Sequence, residues 1–428
     1  MDVNFTINDI TNSINKLNIN KAFGHDGISP RLLKLFGDYI SKPHYIIYRN
    51  CLKTGAFPKK WKKANVVPIH KKNERNLIKN YRPVSLLPIC GKIFERLILN
   101  NLYPYIFDNA FVDDRQSGYR IGDSTIKQLI SITHEIYKAF DDSKELRAVF
   151  LDISKAFDKV WADGLIYKLK RIGIEGDMIN ILSSFLSERE QRVTLDGVSS
   201  DWVNIEAGVP QGSILGPILF LVYINDLVDV VDADIKIFAD DTFIFRTVDN
   251  DIDSTLKLNT DLEKITKWAY QWKMVFNPDV TKQAVEVVFS NKTKNRGVYG
   301  PLVFNYIPVK RVEETLHLGL IPDSKLNFES HIENKLAKSR SSLGMMKQLK
   351  KWVTAPVLET IFKSFVRPNL DYCDVVYHKA NISSNIFASK NSKPILDKIE
   401  SIQYTAARVI TGVWKGSNML KLYKTLGW

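Results

Sequence analysis

Apolar positions recur at helical spacing from the first residues. Ile7, Ile10, Ile14 and Leu17 follow a capping-type Thr6, which predicts a helix over 7–20. Residues 30–53 predict two more helices, opened by Pro30 and closed near Gly55. A strand is expected at 64–70, then a basic, Asn-rich loop from Lys71 to Arg82, then helices over 89–106 and 123–140. Residues 147–153 (RAVFLDI) form an apolar run that ends on a carboxylate. Helices follow over 161–172 and 177–186, and 192–195 and 203–206 are candidate paired strands. A loop at 208–212 opens an apolar helix over 213–227. Residues 234–247 alternate around Ala239-Asp240-Asp241 and predict a hairpin with acidic residues at its turn. A helix over 255–272, strands at 283–290 and 302–309, and basic helices from Asn327 complete the pattern. Helices and strands are mixed without regular alternation, so the expected class is α+β.

The 428 residues allow two to four structural units and a large core. Three distant cysteines and seven scattered histidines form no zinc or disulfide pattern, which fits a reduced compartment. The first residues are polar and acidic, unlike a signal peptide. The longest apolar run, 214–224, is shorter than the roughly 20 residues a membrane span needs. The formal charge of +13 suits either a solvated basic surface or a polyanionic partner. The runs 59–63 (KKWKK) and 70–72 (HKK) favour the partner.

Asp152 ends a buried strand, where a charge is expensive unless it is paired or holds a metal; the alternative is a helix N-cap. Asp240 and Asp241 occupy a hairpin turn, where a solvated turn is the alternative, but Phe238 and Phe243 flank them closely. Three carboxylates from a strand and a neighbouring hairpin suit two-metal phosphoryl transfer with Mg²⁺. Side chains alternate along a strand, so ligation is expected from Asp152 and Asp240, with Asp241 looser.

The string Phe150-Leu151-Asp152-Ile153-Ser154-Lys155-Ala156-Phe157-Asp158 resembles the first carboxylate motif of reverse transcriptases, and Phe238-Ala239-Asp240-Asp241 resembles the second. Gly208-Val209-Pro210-Gln211-Gly212-Ser213 is similar to their P-Q-G loop. Asn80-Tyr81-Arg82-Pro83-Val84-Ser85 resembles N-Y-R-P-I-S, and Gln116-Ser117-Gly118-Tyr119-Arg120 resembles Q-x-G-F-R. His317-Leu318-Gly319-Leu320 resembles the primer-grip region, and Arg367-Pro368-Asn369-Leu370-Asp371-Tyr372 resembles a C-terminal block. Seven motifs in order over about residues 20–428 resemble the non-LTR (LINE-type, jockey-like) retrotransposon enzymes. Phe23, His25 and Pro322 depart from the residues usual at their positions in that family.

The resemblance implies a right-hand polymerase. Residues 1–60 would extend the fingers, 61–320 would form fingers and palm, and 321–428 a helical thumb and C-terminal region, truncated relative to the family. Lys71 and Arg82 would meet the triphosphate, Phe157 the sugar, and Gln211 and Gly212 the nucleotide and template. Leu318, Gly319 and Leu320 would support the primer. Lys335, Lys338, Arg340, Lys347 and Lys350 would meet the phosphates of an RNA–DNA hybrid. The implied activity is RNA-directed DNA synthesis with two Mg²⁺ ions, Mn²⁺ being a substitute. Implied partners are template RNA, DNA primer, dNTPs and the element RNA as a ribonucleoprotein, in cytoplasm and nucleus. Membrane and secretion are not expected, and the family's endonuclease domain is expected to be absent from this chain. Two other readings share part of the pattern: an inactive relic or domesticated RNA-binding protein, and a group II intron maturase.

Overall fold

Local signals fix the first helices in the computed structural model, which describes residues 2–71, 74–277, 284–292, 297–377 and 395–428. Thr6 and Asp9 close a capping box on the helix Ile7–Asn15: the Thr6 N–H donates to the Asp9 carboxylate at 2.8 Å. The apolar spacing runs on to Leu17, but the helix stops earlier, with the Lys16 N–H on the Asn12 carbonyl. Ser29 caps Pro30–Phe36, and Gly55, left-handed at φ 63°, ends Asp38–Thr54.

Twelve strands lie among the described residues: β1 (Lys63–His70), β2 (Tyr81–Leu86), β3 (Glu145–Asp152), β4 (Arg189–Leu195), β5 (Val198–Ser199), β6 (Val203–Ile205), β7 (Asp234–Phe238), β8 (Asp241–Val248), β9 (Val285–Phe289), β10 (Val303–Phe304), β11 (Ile307–Pro308) and β12 (Lys310–Arg311). One sheet runs β2-β1-β4-β5 with β6 also on β4; a second runs β12-β9-β3-β8-β7. The mixture of helices and sheets is α+β, as expected.

The chain divides into two compact units. The first comprises Met1–Gly122, Leu151–Thr242 and Asn259–Gln283; the second comprises Asp123–Phe150, Phe243–Leu258 and Ala284–Trp428. In the first unit, β1 pairs antiparallel with β2, placing Ile69 opposite Arg82, and parallel with β4. The helix Gly216–Ile224 is buried at nearly every position, which its unbroken apolar sequence requires. In the second unit, Leu146–Phe150 of β3 pairs antiparallel with Leu-free β9, through residues 285–289. Its core joins the helix Thr125–Asp141 to Glu329–Leu349 through residues such as Ile132, Phe289, Ile332 and Leu343.

The structure corrects several expected boundaries. Arg82 lies on β2 rather than in a loop, because Tyr81–Leu86 pairs with β1. The strand expected at 302–309 is instead a tight hairpin of β10 and β11, turned by Asn305 and Tyr306 at φ 49° and 64°. β4 and β6 do pair, but through Arg189–Gln191, earlier than expected. The helix after the 208–212 loop begins at Gly216. Lys72 of the HKK run, Gln283 of the expected strand and residues 378–394 of the C-terminal helical pattern lie outside the described residues.

Candidate active site

Asp152 is the last residue of β3 and is half-buried. It does not cap a helix. The next helix, Ala156–Lys159, is preceded by Lys155 in a left-handed conformation, and no side chain caps it. The segment ending at Asn277 holds Asp152 instead. Asn277 donates its backbone N–H to the Asp152 carbonyl at 2.8 Å and its amide to Asp152 Oδ2 at 3.1 Å.

The second acidic pair sits where the sequence placed it. β7 ends at Phe238, Ala239 turns the chain at φ 53°, and Asp241 begins β8. In the second unit, the rings of Phe150 on β3 and Phe243 on β8 pack 4.9 Å apart. Asp152 and Asp241 each stand two residues further towards the site along those strands. Period-two alternation therefore gives each aspartate the face of its phenylalanine.

The turn is held by a residue to which sequence reasoning gave no role. Gln116 is fully buried, and its side-chain carbonyl accepts from Gly118 N–H at 2.8 Å and Ala239 N–H at 3.0 Å. Its neighbours lie along β7: Ser117 N–H donates to the Ile237 carbonyl, and Ile237 N–H to the Arg115 carbonyl, both at 2.9 Å. Gly118 must be glycine, since a Cβ there would stand 2.4 Å from the Ala239 nitrogen. The Q-x-G string carried the signal, but its partner is 123 residues away in the chain.

The remaining groups of the first unit converge on this hairpin. Burial raises the pKa of the Tyr119 hydroxyl, the Asp240 charge raises it further and Arg82 opposes the shift, so Tyr119 feels both residues. Tyr119 meets Phe157 edge to face at 6.0 Å, and Phe157 stacks on buried Phe220 at 4.8 Å. The aromatic surface under Phe157 is therefore Phe220. Gln211 donates to Asp158 Oδ1 at 3.1 Å. Burial raises the Asp158 pKa, while Gln211, Lys155 and Lys71 lower it, which puts Lys71 in the same surroundings.

Gly212 lies at φ 125°, and a Cβ would stand 2.6 Å from the Ser85 carbonyl oxygen. Ser85 N–H in turn donates to the Gln211 carbonyl at 2.8 Å. The glycine thus permits close approach of the loop to β2, the strand that carries exposed Arg82. Glu95, also missed from sequence, anchors the other end of the loop. Fully buried, it accepts the Ile214 and Leu215 N–H groups at 2.6 and 3.2 Å. Burial raises its pKa, and those two hydrogen bonds oppose the shift.

In the second unit, His317-Leu318-Gly319-Leu320 forms a tight turn. His317 and Leu320 exchange backbone hydrogen bonds at 2.8 and 2.9 Å, with Leu318 and Gly319 at φ 47° and 84°. The His317 ring packs on Phe150 at 5.1 Å and Phe243 at 5.9 Å. Tyr372, from the R-P-x-L-D-Y block, donates its hydroxyl to the Leu318 carbonyl, and a Cβ on Gly319 would meet the Tyr372 ring at 3.1 Å. Lys335 is half-buried with its ammonium 4.7 Å over that ring, so packing engages it as well as charge. On the helix Glu329–Leu349, the buried stripe is Ile332, Leu336, Ser339, Leu343 and Met346. At 3.6 residues per turn, Lys335 and Lys338 flank one side of it and Arg340 and Lys347 the other. Lys350 follows the helix and is exposed. The five basic residues therefore do not share one face.

The donor set fits a hard divalent cation. Carboxylate oxygens of Asp152, Asp240 and Asp241 are the type Mg²⁺ takes, and it commonly keeps only one or two protein carboxylates beside substrate phosphates. Among the described residues no three His, Cys, Asp or Glu side chains are grouped so as to hold a metal ion by themselves.

Residues 69–320 match the family described as reverse transcriptase (RNA-dependent DNA polymerase). The chain is 33% identical over 423 residues to the RNA-directed DNA polymerase from mobile element jockey of Drosophila melanogaster, covering 95% of this chain and 44% of that protein. It is 31% identical over 353 residues to the probable RNA-directed DNA polymerase from transposon BS of the same species, covering 80% of this chain and 38% of the relative. It thus spans less than half the length of either. A solved structure of apo telomerase from Candida tropicalis aligns at 11% identity and TM-score 0.42, covering 67% of this chain and 59% of that one. No helix among the described residues is long and apolar enough to cross a membrane. The matched segment contains both carboxylate motifs, the glutamine splint and the P-Q-G loop, and the chain belongs to the reverse transcriptase (RNA-dependent DNA polymerase) family.

Proposed function

We propose that this chain is the polymerase part of a non-LTR retrotransposon protein and extends a DNA primer on an RNA template. The observation that carries the reading is the gathering of Arg82, Tyr119, Phe157, Gln211 and Asp240 about one splinted acidic turn in a single unit. In this reading residues 61–320 are fingers and palm, 1–60 extend the fingers, and 321–428 form the thumb and C-terminal region.

Arg82 binds the triphosphate, because a guanidinium meets phosphate oxygens in bidentate fashion. Lys71 adds charge beside it. Phe157 lies under the sugar, and Gln211, held by Asp158, faces the base pair being formed. Asp152 and Asp240 would hold two Mg²⁺ ions, with Asp241, which shares the strand face of Asp152, beside them; when bound, the ions would stabilise the attacking 3′ oxygen and the leaving pyrophosphate. Leu318, Gly319 and Leu320 support the primer end. Lys338, Arg340 and Lys347 bind phosphates on two flanks of the thumb helix, and Lys350 binds them at its end. The natural setting is a ribonucleoprotein of element RNA in cytoplasm and nucleus, working with an endonuclease.

The test is extension of a DNA primer annealed to RNA, with and without Mg²⁺. Metal-dependent addition of templated deoxynucleotides is expected. A folded protein that binds the duplex and adds none is an RNA-binding relic.

A further inference from the structure

Tyr119 combines three features that ordinary core packing does not explain. Its backbone is left-handed at φ 55°, a conformation that strains a bulky residue. Its side chain is half exposed, so burial does not compensate for that strain. Its position is nevertheless fixed, because Gly118 beside it presses on Ala239 and is tied through Gln116 to the acidic turn.

The ring's contact supplies the missing reason. Phe157 is held on one face by Phe220, stacked at 4.8 Å and 20°, and Phe220 is itself fully buried. Tyr119 meets Phe157 at 6.0 Å and 85°. Two aromatic neighbours from separate segments leave Phe157 little freedom to tilt. A ring that excludes a 2′-hydroxyl by its volume discriminates only as well as it is held still.

We propose that Tyr119 is a positioning residue that sets the enzyme's choice of sugar by clamping the Phe157 ring. The proposal rests on the polymerase reading and on Phe157 lying under the sugar. It ties sugar choice to the acidic turn, since the same Gln116–Gly118 splint sets both Ala239 and the Tyr119 backbone.

The experiment compares the parent with Tyr119→Phe, Tyr119→Ala, Tyr119→Gly, Phe157→Val and the double variant Tyr119→Gly/Phe157→Val. Two quantities are read on a primed RNA template. One is the ratio of kcat/KM for a deoxynucleotide to that for the ribonucleotide of the same base. The other is the ratio of their affinities in a stable complex on a dideoxy-terminated primer, which needs no chemistry. Tyr119→Gly relaxes the left-handed backbone, so it separates loss of the ring from loss of the fold. An edge-to-face aromatic pair is worth a factor of roughly two to ten. Tyr119→Ala and Tyr119→Gly are expected to lower both ratios by that factor, and Tyr119→Phe to keep them. The double variant should match Phe157→Val alone. Unchanged ratios in folded Tyr119→Gly, additive effects in the double variant, or failure of Tyr119→Gly to fold would each overturn the clamp. A parent that neither extends the primer nor forms the terminated complex overturns the polymerase reading instead.

Discussion

Replacing Gln116 by leucine removes the acceptor that holds the acidic turn while keeping a buried side chain of similar size. Two N–H groups, those of Gly118 and Ala239, then lose their partner. Stranding a buried donor costs about 1–3 kcal/mol. The Gln116 amide nitrogen is itself buried with no partner among the described residues, so its removal relieves one such penalty. Two groups stranded and one relieved leave a net loss of about 1–3 kcal/mol. The turn gains the freedom that the hydrogen bonds denied it, and Asp240 with it. If that energy is felt in placing the carboxylate at the transition state, kcat falls roughly 5- to 150-fold. Urea unfolding gives the first quantity, and single-nucleotide extension at saturating nucleotide gives the second. Lost stability with kcat intact would show that Gln116 serves the fold alone. If neither changes, the splint is not an energetic feature of the protein.

Other outcomes follow from the same geometry. Asp152→Asn and Asp240→Asn are each expected to abolish primer extension with the circular dichroism spectrum unchanged; near-normal extension by either, at matched folding, refutes the assignment of metal ligands. Arg82→Ala should weaken nucleotide use by about 10- to 150-fold, the worth of a charge-assisted hydrogen bond, with little effect on binding of primed template; equal KM values would make Arg82 a surface residue. Burial holds His317 down at about 4, well below a free imidazole, so the folded state takes up that proton later than the unfolded chain as pH falls. Stability from this residue is therefore complete above about pH 6.5 and is lost as pH falls towards 4, by an amount on the order of 3 kcal/mol. His331, also held at about 4 by burial, adds to the same slope. His317→Leu should flatten the acid limb of the stability curve, and an unchanged limb measured by thermal melts contradicts the buried, neutral ring.

Much of this protein was legible along the chain because the signals are local. The Thr6–Asp9 box, Pro30 and Gly55 mark helix ends within a few residues of themselves. The apolar runs of β3 and of Gly216–Ile224 announce buried elements, and the acidic residues between β7 and β8 mark a turn. The order of the motifs was enough to indicate the family. Tertiary structure decided what those motifs do to one another. Gln116 reaches Ala239 across 123 positions, Glu95 reaches Leu215 across 120, and Gly212 is glycine because Ser85 lies beneath it. Periodicity carries no record of such partners, since a hydrogen bond or a close backbone approach depends on distance in space, not on spacing in sequence. The same limit explains the basic residues after Asn327: the count of charges was plain, but their division between two flanks of a helix depended on which stripe the core buries.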